Sequence, residues 1–206
     1  TGLGGNSTMF ANTTGSNNTA VGLSALQSNT TADENTAIGK NALAANTTGA
    51  QNVALGALAL DANTTGAQNV GLGNETLGAN TTGRDNVAIG FNTLGANTTA
   101  QGNTAVGHDA LDVTTTGSYN TGMGTHTLGA NTTGVGNYAG GYGAMYDHTT
   151  GSDNTGLGRN ALANNTTASN NTAVGSQALL ANTTGTDNTA VGYKAGFNVT
   201  TGDANV

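Results

Sequence analysis

Three imidazoles, at His108, His126 and His148, are the only side chains of this sequence whose ordinary pKa lies near neutrality, and no cysteine accompanies them. The lack of cysteine removes thiolate catalysis, disulfide bridges and Cys-based zinc sites together. The best polar pair is Asp109 with His126, seventeen residues apart. An acid–base dyad also needs a nucleophile and a pocket within hydrogen-bond reach. The sequence points to neither, so the pair reads as an exposed contact of little energetic weight. No catalytic residue, cofactor or metal site is expected, and the chain is not expected to be an enzyme.

Two further sets of side chains could make contacts. Tyr138, Tyr142 and Tyr146 crowd one short stretch, with Arg159 following. Phenol rings offer apolar area with a hydroxyl handle, so these four are candidates for touching a glycan or a receptor. The competing reading is local repacking around Gly140. Asn-x-Thr sequons occur at Asn12, Asn29, Asn46, Asn63, Asn80, Asn97, Asn131 and Asn182. They are candidate glycosylation acceptors, or else the rungs of a ladder of side-chain amides.

What positions all of these is a repeat. Asparagine stands at position 18 and at every seventeenth residue thereafter up to 205, with no insertion or deletion. Numbering from this Asn as slot one, glycine fills slot five from Gly22 to Gly192, and Thr-Thr fills slots thirteen and fourteen throughout. Slot nine is Leu except at Met145 and Gly196. The consensus is N-T-A-[VIL]-G-x-x-[AT]-L-x-A-N-T-T-G-x-x. In this register the histidines fall in slots six, seven and twelve, so they do not stack into a metal-binding file. Asp109 and His126 share slot seven, Tyr142 and Arg159 share slot six, and the eight sequon asparagines share slot twelve.

A fixed period of this length is the signature of a solenoid with one coil per repeat. Seventeen residues are too few for a helical hairpin, and the glycines weaken helices further. The fold class expected is all-β: a parallel β-solenoid, or β-roll, of about twelve coils stacked about 4.8 Å apart. The single segment 1–206 divides into a degenerate first coil at 1–17, whose TGLG looks displaced by one residue, eleven regular coils at 18–204, and the start of another at 205–206. Slots two to four predict a strand, slot five a glycine corner, slots eight to ten a second short strand, and Asn-Thr-Thr-Gly a turn. The charged residues support the register: of fifteen, only Asp147 occupies a consensus slot.

Composition narrows the partners. With four Lys and Arg and a net charge of -7, the chain lacks the clustered cations that nucleic acid or an anionic membrane surface demands. No apolar run reaches the length of a membrane span, so no membrane insertion is expected. Slots four and nine are the only large apolar positions in each coil, which is little burial for seventeen ordered residues. Further burial between chains would relieve that shortage. Slot three, always Ala or Gly, either lets another chain approach or fills a narrow interior, in which case slots two and four face the neighbour. A homo-oligomer is expected.

The core N-T-A-V-G at Asn18–Gly22, Asn171–Gly175 and Asn188–Gly192 resembles the S-V-A-I-G core of head repeats in trimeric autotransporter adhesins. The longer N-T-A-V-G-x-x-A-L-x-x-N-T-T-G form is similar to repeats of phage tail-fibre-type proteins that end in a self-cleaving chaperone domain. The resemblance covers nearly the whole chain, although the period is longer than in the adhesin heads. It implies a left-handed, trimeric parallel β-roll projecting from a cell or virion. The expected function is a structural extracellular fibre or adhesin shaft that mediates surface attachment, its partners further copies of itself and a host-surface glycan or protein. The alternative is an ice-binding solenoid using a Thr ladder. Thr13 and Thr14 would point to opposite faces of an extended strand, which leaves one clean Thr file.

Overall fold

The computed structural model describes residues 2, 3, 5 and 7–206. The chain is a parallel β-solenoid with no helix among the described residues. Its strands are β1 (Gly2–Leu3), β2 (Thr19–Val21), β3 (Thr36–Ile38), β4 (Val53–Leu55), β5 (Val70–Leu72), β6 (Val87–Ile89), β7 (Thr104–Val106), β8 (Thr121–Met123), β9 (Tyr138–Gly140), β10 (Thr155–Leu157), β11 (Thr172–Val174) and β12 (Thr189–Val191). They form one parallel sheet in chain order. From β2 onward each residue pairs with the one seventeen later, as Thr19 with Thr36 and Val21 with Ile38. At β1 the offset is eighteen, Gly2 with Ala20 and Leu3 with Val21. Gly2 and Leu3 are therefore displaced by one residue, as expected; Thr1 and Gly4 of TGLG lie outside the described residues.

The sheet settles which way slots two to four point. Alternate side chains of a strand face opposite sides. Ala20, Ala37, Ala54, Ala88 and their counterparts in slot three are fully buried, and slot four stands outside. Only a methyl or a hydrogen fits where the sheet backs onto the Leu file of slot nine. Leu26 through Leu179, with Met145, fill the interior at essentially zero exposure.

Slot nine reaches that interior by an unexpected route. Slots six to eleven form turns, not the second strand that the sequence suggests. Leu26, Leu43, Leu60 and the other residues of slot nine lie at φ near 50°, and slot seven is left-handed as well. The left-handed conformation costs a side-chain-bearing residue about 1–2 kcal/mol, whereas burying a leucine contributes about 1.5–3 kcal/mol. Burial wins, and the bent backbone keeps its amides bonded between coils, as Leu26 N–H to the Ala42 carbonyl at 3.0 Å. Eleven three-residue strands bound about ten turns, and the winding sense departs from the left-handed one that the resemblance implies. The shared five-residue core does not fix how the other twelve residues of a coil come round, because those residues follow turns instead of a strand.

Polar side chains hold one coil to the next. Each Asn of slot one accepts the backbone N–H of the Asn seventeen later, at 2.9 Å for Asn18 and Asn35, and this column runs unbroken to Asn205. Its side-chain amide donates to the slot-fifteen carbonyl of its own coil, as Asn35 to Gly49 at 3.0 Å. In slot twelve the amides bond to one another: Asn29 donates to Asn12 at 2.8 Å, Asn46 to Asn29 at 3.1 Å, and the series continues to Asn97. Thr hydroxyls of slot thirteen donate to the next coil's Thr carbonyl, as Thr30 to Thr47 at 3.0 Å.

These bonds bear on the glycosylation reading. Asn29, Asn46, Asn63, Asn80, Asn97, Asn131 and Asn182 are fully buried, and Asn12 donates its amide to the Gly15 carbonyl at 2.9 Å. In the folded coil all eight side-chain amides donate hydrogen bonds, which favours the amide-ladder reading of these asparagines.

The slot-twelve column breaks at three places. Thr114, His148 and Val199 stand where Asn would donate backward, and the buried Asn97, Asn131 and Asn182 carbonyl oxygens before them have no partner. His148 imitates Asn in part. Its Nε2 lies 2.8 Å from the Gly151 carbonyl and must carry the proton, and its Nδ1 accepts the Asn165 amide at 3.2 Å. A neutral imidazole has no second N–H, so Asn131 is left unsatisfied. Burial pushes the His148 pKa down, against the opposing hydrogen bonds to Gly151 and Asn165.

Two predictions follow from the packing. Gly90 sits at φ 134°, and a Cβ there would meet the Gly107 carbonyl oxygen at 2.7 Å. Gly90→Ala is expected to cost about 3 kcal/mol or more in urea unfolding. Gly78→Ala, where the nearest atom is 3.4 Å away, should change stability by less than about 1 kcal/mol. For His148 the unfolded chain takes up the proton at higher pH than the folded chain. Its contribution is complete above the ordinary value of 6.5 and is lost as pH falls below it. His148→Asn should add about 1–2 kcal/mol at neutral pH by completing the column. It should also lose less stability than the parent on acidification to about pH 5.5; equal losses in both proteins contradict the assignment.

Candidate functional site: an aromatic and histidine ridge beside a groove

Slots six and seven sit just past the glycine corner, on the outside of the turn. No slot-six residue has positive φ, whereas slot seven is left-handed in nearly every coil, including Asp109 at 52° and His126 at 56°. The backbone N–H of slot seven bonds to the slot-six carbonyl of the preceding coil: Asp109 to Phe91 at 3.1 Å and His126 to His108 at 3.0 Å. A slot-seven side chain therefore lies beside the slot-six residue eighteen positions earlier.

This diagonal, together with same-slot stacking, builds a ridge. Phe91 stacks on His108 with ring centres 5.3 Å apart. His108 meets His126 edge-on at 5.7 Å, and His126 meets Tyr142 at 6.2 Å and Tyr146 at 6.1 Å. Same-slot reasoning separates His108 from His126; the structure brings them together with Asp109. Phe91 is the ridge's first ring. The signal that could have joined His108 to His126 is the offset of eighteen that cross-coil amide bonds impose at slot seven.

Beyond the ridge lies a groove of about 350 Å³ bordered by His126, Tyr142, Tyr146, Asp147, Asn160 and Asn164. It opens where variable slot ten is Tyr and slot eleven departs from its usual Ala. Tyr146 and Asp147 occupy these slots in one coil, and Asn164 replaces the slot-eleven Ala in the next. Asp147, the one charge in a consensus slot, thus edges the groove. Two of the four expected contact residues, Tyr142 and Tyr146, are placed together here. Tyr138 stands on β9, on the outer sheet face, and neither it nor Arg159 borders the groove.

Electrostatically the ridge is mixed. His108 Nδ1 lies 3.0 Å from Asp109 Oδ2. Burial raises the pKa of the half-buried Asp112, with Asp109 adding to the rise and His126 opposing it. No nucleophile accompanies these groups; the groove presents rings, one carboxylate and amides, which can grip a polyhydroxylated ligand through stacking and hydrogen bonds.

A second surface feature is the outer sheet face. Slot four carries Val21, Ile38, Leu55, Leu72, Ile89, Val106, Met123, Leu157, Val174 and Val191, and neither slot two nor slot four contains a charge. Leu55 is 46% exposed and Met123 43%. No helix among the described residues is long and apolar enough to cross a membrane. No family model matches the chain, and neither the curated proteins nor the solved structures include a significant match.

Proposed function

We propose that the chain is a shaft segment of an extracellular fibre or adhesin, assembled from copies of itself, that mediates surface attachment from a cell or virion. The observation that carries this reading is the uncovered face of a wholly parallel sheet. Parallel sheets are ordinarily covered on both sides. Here the inner face rests on the Leu file, while the outer face exposes an uncharged aliphatic row over eleven strands, about 48 Å at the usual strand spacing. Copies of the chain supply the natural cover, because the same face recurs on each and has no charge to desolvate. A trimer closes three such faces around one axis, the arrangement that the resemblance to adhesin heads implies. The Tyr142–Tyr146 groove is the candidate contact with a host-surface glycan.

Sedimentation equilibrium tests the assembly. The parent chain is expected at three times its 20.0 kDa mass, and the double variant Leu55→Lys, Ile89→Lys at the monomer mass. A monomeric, fully stable parent sinks the reading.

One observation favours a second reading. The slot-fourteen threonines, Thr14 through Thr201, are exposed in every coil. A regular Thr file at about 4.8 Å spacing offers a row of hydroxyls to a water lattice, although one file makes a narrower face than two would. Thermal hysteresis in a freezing assay supports that reading, and ordinary freezing behaviour ends it.

A further inference from the structure

The ridge brings together three side chains with the chemistry of metal ligands. His108 Nδ1 and His126 Nδ1 lie 3.0 and 3.8 Å from the same oxygen, Asp109 Oδ2. The ligand atoms of the three residues all lie within 4.8 Å of one another. Donors bound to a zinc-class ion at about 2.0–2.2 Å sit roughly 3 Å or slightly more from each other. His108 and Asp109 are already at that separation, and a small rotation of the His126 ring completes the set.

The surroundings favour the same geometry. Asn92 Nδ2 donates to Asp109 Oδ1 at 2.9 Å, which turns the other carboxylate oxygen toward the imidazoles. Such outer partners fix the orientation of a ligating carboxylate. Phe91 stacks on His108 and holds its ring. The backbones of Asp109 and His126 are tied to the preceding coils at 3.1 and 3.0 Å, so the ligands stand on a rigid scaffold.

We propose that His108, Asp109 and His126 form a surface site for a divalent transition-metal ion of the zinc class. Two imidazoles and a carboxylate suit borderline ions and not calcium or magnesium, which take oxygen ligands. Three protein ligands leave a coordination position open. The site adjoins the groove, since His126 borders both. It depends on these contacts alone and stands whether or not the chain is a shaft.

Calorimetric titration of the purified chain with zinc chloride tests the site. The parent is expected to bind one equivalent per chain. Asp109→Asn and His126→Asn, chosen because asparagine accepts positive φ, should each weaken binding at least about tenfold with unchanged circular dichroism. His148→Asn, buried in the interior column, should leave binding as it was. Zinc uptake of equal strength in the Asp109 and His126 variants, or no saturable uptake by the parent, overturns the proposal.

Discussion

A buried carboxamide has two donors and an acceptor to satisfy, and in a coil this narrow nearly all of its partners lie in its own turn or along the axis. That requirement governs the molecule. The slot-one asparagines meet it by bonding across the coil and to the next Asn backbone, and the slot-twelve asparagines meet it by bonding to one another. Both solutions work only if the next coil offers the same group at the same height. An inserted residue would shift every rung after it, so the period is unbroken from Asn18 to Asn205. The one displaced strand, β1, lies ahead of that series, and one extra residue between Leu3 and Met9 absorbs the shift before slot nine resumes.

The same requirement explains what could be read in advance. Period, parallel pairing, the glycine corner and the solvent slots follow from repetition alone, because like residues must stack. The direction of slots three and four stays open at that level, since Ala suits either a narrow interior or a close neighbour; the backing Leu file decides it. The leucines themselves mislead. Leucine in a left-handed conformation is disfavoured locally, and only the burial available inside a closed coil reverses that preference. The sequon asparagines likewise look like surface acceptors until the coil closes over them.

The ridge was legible only in part, for a different reason. Same-slot stacking is a full guide where backbones run straight, as in the sheet, and an incomplete one past the corner, where it pairs Phe91 with His108 and Asp109 with His126 but misses His108 with His126. There the amide of one coil reaches back to the carbonyl eighteen residues earlier, and side chains from different slots become neighbours. His108 and His126 meet on that diagonal, Asp109 and His126 share slot seven, and Tyr142 and Tyr146 reach His126 from the next coil. Irregular residues gather where the coil tolerates them, outside the turn, so variety in an otherwise uniform rod concentrates along one edge.

The two asparagine columns also differ in continuity. The slot-one column, beside the strands, passes through every coil, whereas the slot-twelve column is cut beyond Asn97, Asn131 and Asn182. A rod with one continuous and one interrupted seam has no single bending stiffness. Load that opens the slot-one side must stretch an intact series of bonds, while load that opens the slot-twelve side meets fewer of them at three heights. Flexure is thereby directional, and a long filament of such coils would curve with its sheet edge as the stiff spine.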